Sequence, residues 1–202
     1  MANIRKPQQK RSITTKAKLE SAAKKLFSMK GYHGTNARDI AVEAGVSVGS
    51  FYSYFEDKKA IFMEIFRKHS EERTLEIIRN IPEDSIKAKQ GVHQIIRAIL
   101  DANALSPEFH KEVMALRYSD PEIEALYQRI HAQSIDIFVE ILRSRQDKLR
   151  VKDIEAAAIV VCNASEEVLH SVITFSTGID DQRLIEALSD MIYQYLFKQS
   201  VV

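Results

Sequence analysis

Leu19, Ala22, Ala23, Leu26 and Phe27 stand three and four residues apart, the spacing that gathers side chains on one face of an α-helix. Lys18, Ser21, Lys24, Lys25 and Ser28 fall on the other faces, so the stretch reads as an amphipathic helix ending before Gly31. The same period recurs along nearly the whole chain, and nowhere do apolar and polar residues alternate as in a strand. Short helices are expected at 37–44 and 48–55. A longer one follows from Lys58 to about Asn80, with Ile61, Phe62, Ile65, Phe66 and His69 on one face and Ile81-Pro82 as its stop. Another covers about 85–104. Ser106-Pro107 and Asp120-Pro121 each pair a capping residue with a proline at the first helical position. Helices near 153–175 and 181–198 close the chain. Gly and Pro total 10 of 202 residues, too few for the turns of a sandwich or barrel, while 45% hydrophobic residues supply a core. The expected fold is all-α, about nine helices, with the polar and basic residues 1–13 as a flexible arm.

The charge is uneven. Residues 1–60 carry 12 Lys/Arg against 5 Asp/Glu, a balance of +7, whereas 61–202 balance to −6. A basic head on an acidic body suits a polyanionic partner, although a solvated tail accounts for part of it. The lone Cys162 closes no intrachain disulfide, the amino terminus has no apolar signal region, and the apolar run at 156–162 is far shorter than a membrane span. A soluble cytoplasmic protein with no membrane partner is the expectation.

Within the basic head, residues 35–55 read helix, glycine turn, helix. A helix-turn-helix lays its second helix in the DNA major groove. Asn36 followed by Asp39 is a variant capping box, Gly45 supplies the turn, and Ser47 and Asp57 are suited to cap the next two helices. Gly49 and Ser50 are small enough for close approach to DNA, and Phe51 and Phe55 can anchor the opposite face. Tyr52, Ser53 and Tyr54 carry hydroxyls for phosphate oxygens, Lys58 brings an ammonium to a helix start, and Arg38 reaches a guanine edge or a phosphate. On spacing alone, such a helix pair also occurs as plain packing.

Residues 13–62 resemble the amino-terminal domain of tetracycline-repressor (TetR) family transcriptional regulators. The resemblance rests on Ala22-Ala23 with Leu26-Phe27, Gly31-Tyr32, Thr35, Ile40-Ala41, Ala44-Gly45-Val46-Ser47, Gly49, Tyr52, Tyr54-Phe55 and Lys58. Asn36 stands where Thr is often found. The resemblance implies DNA contacts from the start of the second helix, the third helix and the start of the fourth: Thr35, Asn36, Arg38, Ser47, Val48, Gly49, Ser50, Tyr52, Ser53, Tyr54 and Lys58. It also implies a double-stranded operator, a homodimer through the last two helices, and a small-molecule pocket in a carboxy-terminal domain. The expected domains are 1–57 for DNA and 58–202 for ligand and dimer.

The body offers Asn163, Glu167 and His170 at i, i+4 and i+7 of an otherwise apolar helix, with Glu166 alongside. Buried polar groups need partners, and a ligand, a facing helix or water can each serve. Phe66, His69, Met114, Tyr118, Tyr127 and His131 are candidate pocket lining, suited to a hydrophobic or aromatic effector. Glu167 in E-x-x-H with His170 is half of a di-iron pattern, but the second copy is missing, and no hydrolase or phosphate-loop motif occurs. No metal, cofactor or catalytic residue is expected. The reading is a ligand-released repressor; an all-α enzyme or metal-binding bundle and a non-specific architectural DNA binder are the alternatives.

Overall fold

The computed structural model describes residues 5–80, 89–103, 107–174 and 178–198. Among them are nine α-helices: α1 (Arg5–Lys30), α2 (Ala37–Glu43), α3 (Val48–Tyr52), α4 (Lys58–Asn80), α5 (Lys89–Asn103), α6 (Pro107–Arg117), α7 (Pro121–Arg143), α8 (Ile154–Thr174) and α9 (Asp181–Leu196). The chain forms two compact units. The first joins α1–α3 and α4 up to His69 with residues 108–126, that is, α6 and the start of α7; the second takes the rest.

The amphipathic stripe of α1 is the floor of the first unit: Leu19, Ala23 and Phe27 are fully buried. Phe62 on α4 meets Phe27 edge-on at 5.3 Å and Phe109 on α6 at 4.9 Å. Each fully buried phenylalanine contributes about 1.5–3 kcal/mol through surface removed from water. Glu112 on α6 accepts a 2.7 Å hydrogen bond from the Tyr32 amide, and Gly31 at φ +72° leaves room for it. A Cβ at Gly31 would stand 3.0 Å from the Glu112 carboxylate.

The core of the second unit comes from α5, α7, α8 and α9. Ala157 and Ala158 are fully buried, and their small side chains let α9 approach, with Ile185, Leu188, Ile192 and Leu196 filling the space. Among the described residues α8 alone is long and apolar enough to cross a membrane, a test that core helices also pass. The seven-residue run considered from sequence lies in its first half. Leu149 and Phe197 form an antiparallel bridge, with Arg150 N–H donating to Leu196 and Lys198 N–H to Lys148.

Three expectations need correction. The backbone of 5–13 is helical, not an arm; Pro7 falls in the first turn, where its missing N–H has no helical partner to lose. The third helix stops at Tyr52, not Phe55: the Ser53 and Tyr54 amides reach back three residues, to the Ser50 and Phe51 carbonyls, and this tighter turn ends the helix. The last helix stops at Leu196, because Phe197 joins the bridge to Leu149. Residues 81–88, with the Ile81-Pro82 stop and the start of the fifth helix expected at 85, and Ser106 lie outside the described residues.

Candidate nucleic-acid interface

The loop from α1 to α2 sets the position of everything after it. Thr35 is 1% exposed, and its hydroxyl donates to the Gly31 carbonyl at 2.9 Å. This corrects its placement among DNA contacts: its side chain is an internal strut. The Lys58 ammonium donates to the carbonyls of Tyr32, at 2.9 Å, and Thr35, at 3.0 Å, and lies 4.4 Å from the centre of the Tyr32 ring. Inward-facing carbonyls require such donors. Two of the three ammonium protons are thereby engaged, so Lys58 is first a brace between the loop and α4.

Asn36 caps α2 by accepting from the Asp39 amide at 2.9 Å. Asp39 returns the contact to the Asn36 side-chain amide, which gives the capping box its variant form. Gly45, at φ +67°, ends α2. Its amide reaches the Val42 carbonyl, and that of Val46 reaches Ala41, the pair of bonds that closes a helix through a left-handed glycine. Ser47 caps α3, accepting from the Ser50 amide at 3.1 Å, and the two hydroxyls lie 2.9 Å apart. Asp57 caps α4 through the Ala60 amide.

This arrangement gives α3 two faces. Phe51 and Phe55 are buried in the first unit, and Tyr54 is half-buried. Val48 and Tyr52, four residues apart, are 37% and 58% exposed, with Gly49 and Ser53 exposed beside them. A Cβ at Gly49 would have the Ser47 hydroxyl as its nearest neighbour, 3.9 Å away. Among the described residues nothing requires glycine there. Arg38 is exposed on α2.

The candidate effector residues divide between the units. In the first, Phe66 is buried, His69 is half-buried and Met114 offers its sulfur to Arg117. Tyr118 is 81% exposed beneath the Arg117 guanidinium, which corrects its placement as pocket lining. In the second, the Tyr127 hydroxyl donates to Glu166. His131 lies with Nδ1 3.0 Å from Glu166 and Nε2 2.9 Å from Asn163 Oδ1, its ring parallel to that of Tyr127. Glu166, not Glu167, joins the cluster; Glu167 is exposed, and His170 meets Thr174. Sequence spacing could not separate two adjacent glutamates when the facing helix was unknown. A groove of this unit is lined by Arg143, Gln146 and residues 152–155, none of them expected from sequence. Burial, with the nearby Glu166 carboxylate, pushes the Cys162 thiol up to about 11, so it stays protonated and unreactive at neutral pH.

Two family descriptions match the chain. "Bacterial regulatory proteins, tetR family" covers residues 19–65, and "Tetracyclin repressor-like, C-terminal domain" covers 89–196. An uncharacterized HTH-type transcriptional regulator of Bacillus subtilis, YuxN, is 26% identical over 126 residues, 59% of this chain and 42% of YuxN. The chain thus matches less than half the length of that relative. A TetR-family regulator from Mesorhizobium loti has the same fold, with a TM-score of 0.73 and 19% identity over 93% of this chain and 99% of that one. A transcriptional regulator from Saccharomonospora viridis, solved with choline, superposes with a TM-score of 0.71 and 18% identity over 91% and 98%.

Proposed function

Since the chain belongs to the TetR family of bacterial transcriptional regulators, we propose that it is a dimeric repressor, that α2 and α3 read its operator, and that a small molecule releases it. The observation that carries this reading is the two-faced α3: Phe51 and Phe55 fasten it while Val48, Gly49 and Tyr52 face outward. Within it Arg38 contacts a base or phosphate and Tyr52 a phosphate, while Asn36 and Ser47 hold the two helix starts. Residues 1–57 serve DNA and 58–202 serve effector and dimer.

The dimer forms through α8 and α9, in keeping with Ile159, Val160, Met191 and Tyr195, which are large, apolar and 38–51% exposed. Two heads on a two-fold axis read a near-palindrome with half-sites about 34–36 Å apart, or a multiple of that. The effector contacts Tyr127, His131, Asn163 and Glu166. Two aromatic rings beside a carboxylate suit an apolar molecule with a hydrogen-bonding or cationic group. It acts through its differential affinity for the DNA-competent and released states.

The test is selection of duplexes from a genomic library by the full chain, followed by a thermal-shift screen of aromatic amphiphiles and quaternary ammonium compounds. A palindromic site should emerge, and hits should weaken binding to it. Equal affinity for selected and random duplex would leave only an architectural binder.

A further inference from the structure

We propose that Val48 reads the 5-methyl group of a thymine in each half-site, so that α3 selects sequence by apolar contact rather than by hydrogen bonds to bases. The proposal rests on the reading of α2 and α3 as the DNA-reading pair.

Sequence readout in the major groove runs mainly through Arg and Lys on guanine and Asn and Gln on adenine. Residues 44–56 contain none of these four, nor histidine. The serines are engaged at home: Ser47 and Ser50 with each other and with the cap of α3, Ser53 with the Gly49 carbonyl. On the exposed face of α3, Val48 and Tyr52 are the side chains that project. A lone exposed valine is ordinary on any surface. Here it stands beside Gly49, where an added Cβ would meet nothing closer than 3.9 Å, so a duplex edge can come close to the backbone. The thymine methyl is the apolar mark on the major-groove edge of a base pair, and apolar side chains contact it. Valine is suited to hold that contact, because branching at Cβ limits χ1 and little rotamer freedom is lost on binding. Hydrogen-bond readout then falls to Arg38 on α2, exposed and without a hydrogen bond or ion pair among the described residues.

The test uses the full chain and the duplex it selects. Each thymine of a half-site is replaced in turn by uracil, which removes the methyl group and leaves base pairing intact. At one thymine per half-site, wild-type affinity should fall about fourfold for each methyl lost. Val48→Ala should bind the thymine duplex weaker by a similar factor and no longer distinguish it from the uracil duplex. Val48→Thr, which keeps one methyl, should retain part of the discrimination. Indifference of the wild type to every uracil, or undiminished discrimination by Val48→Ala, overturns the proposal while leaving the DNA-reading function standing. Selection that enriches no sequence overturns that function, and the methyl contact with it.

Discussion

Gly49 and Lys58 illustrate how one residue can serve the fold, the site, or both. Glycine is a poorer helix former than alanine, by about 1 kcal/mol in a helix interior, and Gly49, in the first turn of α3, has open space where a side chain would go. Gly49→Ala should therefore hold or raise the melting temperature, while operator affinity falls about tenfold because the added methyl keeps the duplex away from the backbone. Unchanged affinity in a titration would show that close approach is not needed. Lys58 is the converse. Its ammonium carries two carbonyl contacts and a tyrosine face, so Lys58→Met should destabilise the first unit by about 1–2 kcal/mol in denaturant unfolding. The salt dependence of DNA binding should stay as it was; a slope reduced by about 1 would instead assign Lys58 a phosphate.

At the scale of elements, the first unit is tied together by carboxylates reaching between helices. Glu64 on α4 receives Lys16 of α1 at 2.7 Å, and Glu20 of α1 receives Lys68 at 2.7 Å. Asp120 caps α7 through the amides of Glu122 and Ile123 and pairs with Lys59 at 3.4 Å. Burial acts to raise the carboxyls of Asp120 and Glu64. The amides of Ile123 and Glu122 with Lys59 for the first, and Lys16 with Arg67 for the second, outweigh it and hold both below their ordinary range. A carboxyl depressed in the folded state adds stability above its unfolded pKa, near 4, and loses it as pH falls through the lower folded value. Thermal unfolding should thus show the first unit weakening below about pH 4. Asp120→Asn with Glu64→Gln should flatten that dependence. An unaltered acid limb would assign the effect to other groups.

For the whole molecule, assembly turns on which apolar residues the monomer already uses. Leu188 lies on the apolar side of the last helix and is 4% exposed inside the second unit. A charge there leaves an unpaired carboxylate in the core, so Leu188→Asp should unfold that unit rather than dissociate subunits. Val160→Asp with Met191→Asp, at positions 51% and 48% exposed, should yield folded monomers by light scattering and abolish tight operator binding. A folded variant that stays dimeric would move the interface elsewhere.

The helical period, the caps at Asn36, Ser47, Asp57 and Asp120 and the left-handed glycines at 31 and 45 were legible in the sequence, because each depends on residues a few positions apart. So was the α2–α3 pair, whose spacing is local. What tertiary structure alone decided involves partners distant along the chain. Glu112 and Asp120 joined the amino-terminal unit, from Tyr32 and Lys59 dozens of residues away. Thr35 and Lys58 turned inward on carbonyls that only the folded loop presents, and Glu166 was chosen over Glu167 by where Tyr127 and His131 stand on the facing helix. A sequence states which faces a helix has. Which face meets which neighbour is set by packing, because every buried polar group must find a partner and every apolar stripe a cover.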